Sequence, residues 1–221
     1  MTLNAHSPAM LSTQHQQLIE DLVAHRFAIT PSYLSGELCH ALRAEIDALR
    51  DQGALKEAGI GRRQHHQHDR QIRKDRTYWL DGGSPAQRTY IAQMERLRLA
   101  VNRALFMGLF ELESHFALYL PGDFYRRHVD AFKGSNGRRL STVVYLNDTW
   151  CVQDGGQLRL WAHADDTLPA QDVLPEQGTL ACFLSEDIPH EVLPAIKPRY
   201  SIAGWFRCNN TTADWLDPPP Q

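Results

Sequence analysis

The sequence predicts an α+β fold in which helices pack on the outside of a β-sandwich or jelly roll. Two observations carry that prediction. Helical periodicity of apolar residues is confined to the first half of the 221-residue chain, and from about residue 112 the pattern turns into short apolar runs separated by Pro, Gly, Asn and Asp. A block of helices followed by seven or so short strands fits helices segregated to one side of antiparallel sheet, whose mouth is a usual place for a small-ligand site.

The elements follow in order. Residues 1–12 are polar and are expected to form a flexible N-terminus, after which Leu18, Ile19, Leu22 and Val23 recur at helical spacing. Phe27-Ala28-Ile29-Thr30 reads as a short strand stopped by Pro31. Ser35 can cap a second helix whose Leu38, Leu42, Ile46 and Leu49 form one stripe before Gly53 ends it. Ser84-Pro85-Ala86-Gln87 supplies a cap, a proline at the first helical position and a capping-box glutamine, opening a third helix through Ile91, Met94, Leu97 and Val101 to about Phe106. Strands are expected at 115–120, 124–129, 140–147, 157–161, 178–184, 190–193 and 200–207. There is no internal repeat and no linker that would divide the chain, so residues 13–208 are read as a single domain. Pro218-Pro219-Pro220 cannot join a sheet, and 209–221 is read as a loose tail.

Composition narrows the function. A formal net charge of −3, with 43% apolar and 22% charged residues, argues against general affinity for nucleic acid or an anionic membrane. The four cysteines, Cys39, Cys151, Cys182 and Cys208, show no CxxC pairing and are sparse for a disulfide scaffold, so reduced thiols are expected. The start lacks a basic segment followed by an apolar run, and no stretch of about 18 apolar residues occurs. A soluble, cytoplasmic protein is the expectation.

The residues that carry chemistry are His128-Val129-Asp130, then His190 and, nine positions later, Arg199. Alternate residues of a strand share a face, so His128 and Asp130 can reach one ion together while Val129 points away. His190 would arrive from a distant strand. Two imidazoles and one carboxylate leave three positions of an octahedral ion open, which is how non-haem Fe(II) oxygenases hold their metal and leave room for a bidentate 2-oxo acid and dioxygen. The far carboxylate of such an acid needs an anchor, and Arg199 suits it: a guanidinium stays charged and presents two parallel donors. Tyr145 could add a hydroxyl, and Val143, Leu158, Val192 and Trp205 would exclude water. Singly, each residue has a plainer reading: HxD arises by chance, Arg199 could form a surface ion pair, and Tyr145 and Trp205 could be packing.

Taken together these segments resemble the 2-oxoglutarate-dependent prolyl 4-hydroxylases. The likeness is carried by Tyr119-Leu120-Pro121-Gly122-Asp123-Phe124-Tyr125-Arg126-Arg127-His128-Val129-Asp130, Tyr145-Leu146-Asn147, Gly155-Gly156-Gln157-Leu158-Arg159, Pro189-His190-Glu191-Val192 and Arg199-Tyr200-Ser201-Ile202-Ala203-Gly204-Trp205. It covers roughly residues 55–207. Within that family the chain looks most like the branch holding the animal hypoxia-inducible-factor prolyl hydroxylases and the bacterial enzymes acting on elongation factor Tu. The resemblance implies a double-stranded β-helix, with Fe(II) held by His128, Asp130 and His190. It implies 2-oxoglutarate and O2 as cosubstrates, possible use of ascorbate, a role in oxygen sensing, and a protein substrate, plausibly elongation factor Tu. It assigns the 2-oxoglutarate carboxylate to Arg199 and Tyr145, with Tyr119 and Trp205 beside it, and places Tyr125, Arg138, Val192, Asp75 and Trp79 along the substrate pocket. Gly59, Arg62 and Arg73 would border a mobile lid, and Asp75 would pair with Arg138 when it shuts.

The segment Arg62-Arg63-Gln64-His65-His66-Gln67-His68-Asp69-Arg70 departs from the animal enzymes, so their substrate sequence does not carry over. Its histidines could be taken for a metal site, but their polar surroundings favour a solvated basic loop able to meet an acidic partner. Three rivals stay open: a 2-oxoglutarate oxygenase acting on a free amino acid or other small molecule, a non-catalytic jelly-roll binding module, and a zinc hydrolase, which would have no use for Arg199.

Overall fold

The computed structural model of the chain describes residues 11–58, 71–131 and 137–209. It runs α1 (Thr13–His25), β1 (Phe27–Thr30), α2 (Gly36–Asp51), β2 (Lys56–Glu57), β3 (Arg76–Trp79), α3 (Pro85–Leu105), then β4 (Glu111–Tyr119), β5 (Tyr125–His128), β6 (Arg138–Tyr145), β7 (Leu158–Leu160), β8 (Gln171–Val173), β9 (Leu180–Leu184), β10 (His190–Val192) and β11 (Arg199–Arg207). The helices start where the caps say they should. The Ser12, Ser35 and Ser84 side chains accept from the backbone N–H groups of His15, Leu38 and Gln87. Ser12, expected in the flexible terminus, is thus the N-cap of α1; residues 1–10 and 210–221 lie outside the described residues. Gln87 does not close a capping box: its side chain accepts from Gly82 N–H and donates to Glu45. Val23, counted in the first apolar stripe, is 68% exposed, because Leu18, Ile19 and Leu22 already fill the face that α1 turns inward.

The strands form two sheets. One has seven strands in the order β1-β9-β6-β11-β4-β3-β2, the other four in the order β5-β10-β7-β8, and every pairing is antiparallel. From β4 onward the chain alternates between them, with β7 and β8 as one hairpin in the smaller sheet, so the two sheets wind together as a double-stranded β-helix. Three strands escaped the sequence reading. β2 is two residues long, Arg76-Thr77-Tyr78-Trp79 in β3 shows no alternation, and Gln171-Asp172-Val173 in β8 is a polar edge.

Period-2 alternation divides the core. Phe116, Leu118, Leu140, Val144, Leu180, Ile202 and Phe206 face the three helices and pack with Leu22, Leu42, Ile46, Met94 and Leu97. Their neighbours Ala117, Tyr119, Tyr145, Ala181 and Phe183 face the smaller sheet and meet Leu158, Leu160, Val173 and Val192. The helices therefore stiffen one face of the larger sheet and leave the other to line a cleft. Phe116 is fully buried in the helix-facing core, so Phe116→Ala is expected to cost about 3–5 kcal/mol and roughly 6–20 °C in Tm, read by thermal unfolding. Among the described residues no helix is long and apolar enough to cross a membrane, and none of the four cysteines forms a disulfide.

Candidate metal centre and its pocket

β5 and β10 are adjacent strands whose register sets His128 directly opposite His190. That pairing brings two histidines sixty-two residues apart in the chain to a ring-centroid distance of 4.2 Å. Each imidazole hands its Nδ1 to a backbone carbonyl, His128 to Arg126 O at 2.7 Å and His190 to Ile188 O at 3.0 Å. A ring that donates from Nδ1 keeps a bare Nε2, the atom a metal takes. Asp130 completes the set: Oδ1 lies 3.5 Å from His128 Nε2 and Oδ2 3.6 Å from His190 Nε2. Two donors sharing one ion at about 2.1 Å each sit roughly 3–3.5 Å apart, so the spacing fits an ion better than mutual hydrogen bonds. Among the described residues, these three form the one group of His, Cys, Asp and Glu side chains whose ligand atoms all lie within 4.8 Å of one another.

One detail of the sequence argument is corrected. β5 ends at His128, and Asp130 stands in the bend that follows, so the two side chains do not converge through strand alternation. Asp130 is instead aimed from the opposite sheet. Ser141 of β6 donates to its Oδ2 at 2.6 Å and shares a second hydrogen bond of 2.8 Å with Ser185. Neither serine was legible as a site residue, since both are remote from Asp130 in sequence and carry no local pattern. Ser141→Ala is expected to weaken metal binding about 10–100-fold, because it frees a carboxylate that the hydroxyl orients; a metal titration of the folded variant checks this.

Burial would raise the Asp130 carboxyl, but the adjoining His190 and His128 outweigh it and hold the group far below the usual carboxylate range. Burial, aided by His128, pushes His190 down to about 4 against the opposing pull of Asp130. An ionised carboxylate beside a neutral imidazole is the protonation state that a cation requires of its ligands.

The cavity in front of this centre, about 490 Å³ out to its mouth, is walled by Tyr125, Val143, Leu158, Phe183, Val192 and Trp205 and extends to Tyr119 and Arg199. Arg199 opens β11 opposite Tyr119 of β4 and is 1% exposed. Its Nε donates to Gly156 O at 2.8 Å and its Nη1 to Ser201 Oγ at 3.1 Å. Its Nη2 and the hydroxyl of Tyr145 are both sealed from solvent without a hydrogen-bond partner. The guanidinium carbon stands 5.0 Å from the rings of both Tyr119 and Tyr145. An unsatisfied guanidinium nitrogen and an unsatisfied phenol, both buried and close together, fit an anion that arrives with its own acceptors. Gly156 has φ +70°, and a Cβ there would meet Arg199 Cδ at 3.2 Å and Trp150 at 3.1 Å, so glycine lets the loop lie against the arginine.

The remaining residues named from sequence are spread around this cavity. Arg73 is in its wall and bonds Asp75 through two contacts of 2.5 and 2.8 Å. The expected Asp75–Arg138 pair is not formed: Asp75 is fully buried with Arg73, while Arg138 bonds Glu113 at 2.6 Å and stacks 3.6 Å over Trp205. The reason is local, because Arg73 and Asp75 are alternate residues of an extended segment and share a side. Trp79 is not part of the cavity lining; it is 44% exposed and stands edge-on to His115. His115, which the sequence reading passed over, does line the cavity, and burial reinforced by Arg73 lowers it to about 4. Gly59, Arg62 and the histidines at 65, 66 and 68 lie outside the described residues.

Comparison with known proteins agrees with this geometry. Residues 114–207 match the 2OG-Fe(II) oxygenase superfamily. The fold is similar to a crystal structure of a Pseudomonas putida prolyl-4-hydroxylase, 42% identical, over 88% of this chain and 99% of that one, with a TM-score of 0.80. It is also similar to a Trichoplax adhaerens prolyl hydroxylase in complex with a hypoxia inducible factor oxygen degradation domain peptide, 25% identical over 87% and 88% of the two chains, TM-score 0.77. Among curated proteins, the Hypoxia-inducible factor prolyl hydroxylase of Caenorhabditis elegans is 26% identical over 93% of this chain, and Egl nine homolog 1 of Homo sapiens 28% identical over 82%. The chain spans 30% and 44% of the length of those two relatives.

Proposed function

The chain belongs to the 2-oxoglutarate- and Fe(II)-dependent oxygenases, among the prolyl hydroxylases, and from that premise we propose that it hydroxylates a prolyl residue of a protein, with elongation factor Tu as the substrate. The observation that carries this reading is one cavity holding two kinds of unfilled donor: the His128, Asp130 and His190 ligand atoms, and the orphaned Nη2 of Arg199. Fe(II) bound by the three ligands supplies redox chemistry in which O2 is reduced, 2-oxoglutarate loses CO2 to become succinate, and one oxygen atom enters the proline ring.

The chain's own contribution is binding and exclusion. Arg199 and Tyr145 take the terminal carboxylate of 2-oxoglutarate, with Tyr119 packed over the guanidinium. That contact fixes how far the cosubstrate reaches toward the metal ligands. Val143, Leu158, Phe183 and Val192 keep the space between dry, which limits oxidation of the protein itself when no substrate is present. Beside the cavity, next to Trp205, the exposed Trp79 offers an aromatic face on which a proline ring can lie. A polypeptide rather than a free amino acid is favoured by relatives of this type, one of which holds a peptide. We place the reaction in a reducing cytoplasm, in keeping with four cysteines that form no disulfide.

The test is direct. Iron-loaded protein, 2-oxoglutarate and purified elongation factor Tu are incubated in air, and tryptic peptides are measured by mass spectrometry. A gain of about 16 Da, the mass of one oxygen atom, on a proline-containing peptide with matching succinate release is the expected result. Succinate released with no modified proline in elongation factor Tu would remove that substrate; no succinate and no shift in Tm with metal and 2-oxoglutarate would remove the enzyme.

A further inference from the structure

We propose that Arg73 and Asp75 are positioning residues for the metal centre, holding Tyr125 flat against His128 and so setting the plane of that imidazole. The inference rests on the metal-centre reading above and adds three residues to it. The hydrogen bond from His128 Nδ1 to Arg126 O fixes one edge of the ring. The torsion that turns an imidazole about its Cβ–Cγ bond is broad, so a single edge contact does not define where Nε2 aims. The second contact is Tyr125, whose ring is stacked on His128 at a centroid distance of 3.6 Å and an interplanar angle of 19°.

Tyr125 in turn is held by Arg73, whose guanidinium carbon lies 4.8 Å from the phenol centroid. Arg73 cannot swing away, because both oxygens of the fully buried Asp75 bind its head, at 2.5 and 2.8 Å. The backbone repeats the connection: Arg73 forms a β-bridge with Tyr125, Lys74 N–H donates to Phe124 O at 3.1 Å, and Arg126 N–H donates to Ile72 O at 2.9 Å. Segment 71–74 is therefore pinned along the edge of β5, the strand whose last residue is His128. A series of side-chain contacts, Asp75 to Arg73 to Tyr125 to His128, runs from the larger sheet's flank to the metal ligand. A buried ion pair with no such duty could be replaced by apolar residues at little loss.

The experiment measures Co(II) binding in the absence of any peptide, with the ligand-field absorption of the bound ion as the spectroscopic readout. The variants are Tyr125→Phe, Tyr125→Leu and the paired exchange Arg73→Met with Asp75→Leu, which leaves no buried charge unpartnered. Tyr125→Phe keeps the stacked ring and is expected to bind Co(II) like the parent. Tyr125→Leu and the paired exchange are expected to bind about 10–100-fold more weakly, the range for groups that orient a ligand, and to shift the absorption band. Should the paired exchange fail to fold, Tyr125→Leu decides, since it disturbs no charge. Normal Co(II) affinity and an unchanged band in Tyr125→Leu, or in a folded paired variant whose only defect is a raised peptide KM, would overturn the proposal. A parent protein that binds no Co(II) would instead sink the metal-centre reading beneath it.

Discussion

Asp130→Asn is expected to leave the chain folded and to lower turnover by about 10³-fold or more. Groups that merely orient a ligand are worth about 10–100-fold, and Asp130 is the carboxylate ligand itself, the anion that offsets the charge of the ion. Asparagine keeps the shape and can still accept from Ser141, so the hydrogen bonds that tie Ser141 to Ser185 survive. What disappears is the charge. At neutral pH His190, lowered to about 4, offers a neutral ring to the position between it and Asp130. Because the fold holds the Asp130 carboxyl below its ordinary range despite burial, the ionised group contributes stability at neutral pH that asparagine gives up. The metal-free variant should therefore melt a few degrees below the parent, while its metal titration shifts by two orders of magnitude or more. Thermal unfolding with and without metal, together with succinate release, checks both halves. A variant that kept a tenth of parental turnover would show that Asp130 is no ligand.

The Asp130 environment also marks how far the sequence could be read. The three helices were legible because caps and stripes are local: Ser35 with Leu38, Leu42 and Ile46, and Ser84 with Pro85, declare themselves within one or two turns. Most strands were legible from their apolar runs. The spacing His128-x-Asp130 was noticed for a reason that the bend after β5 removes, because strand alternation ends one residue too early. What brings His190 to the pair is the β5–β10 register, a contact between segments about sixty residues apart that no local pattern encodes. Arg199 lies only nine positions past His190 yet belongs to the other sheet, reached through Pro194 to Pro198, so it faces the ligands across the cavity instead of beside them. The serines behind Asp130 come from β6 and from just after β9, and they are silent in the sequence for the same reason. By contrast the Arg73–Asp75 pair was within reach: two opposite charges at alternate positions ahead of β3 share one side of an extended chain.

Arg199→Met should separate two effects that are usually lost together. Arg199 is buried at 1% exposure with Nε and Nη1 satisfied and Nη2 without a partner, and among the described residues no carboxylate lies within ion-pair distance of it. A buried guanidinium in that state is a cost to the ligand-free fold. Methionine, unbranched and adaptable, fills similar space against Tyr119 and Tyr145 without that cost. The variant without ligand is accordingly expected to be as stable as the parent or more so. Binding tells the opposite story. Truncating one partner of a buried, hydrogen-bonded charge pair costs about 2–5 kcal/mol, roughly 30-fold to several thousand-fold in affinity, so the KM for 2-oxoglutarate should rise by at least that lower figure and the cosubstrate should no longer raise Tm. Arg199→Lys, with the charge but not the planar fork, should fall between the two. Metal binding is the internal control, because Arg199 bonds Gly156 and Ser201 and not His128, Asp130 or His190, which should titrate as in the parent. If Arg199→Met destabilised the ligand-free protein yet left the 2-oxoglutarate KM unchanged, the arginine would be a structural pin of β11, and the carboxylate anchor would have to be sought elsewhere in the cavity.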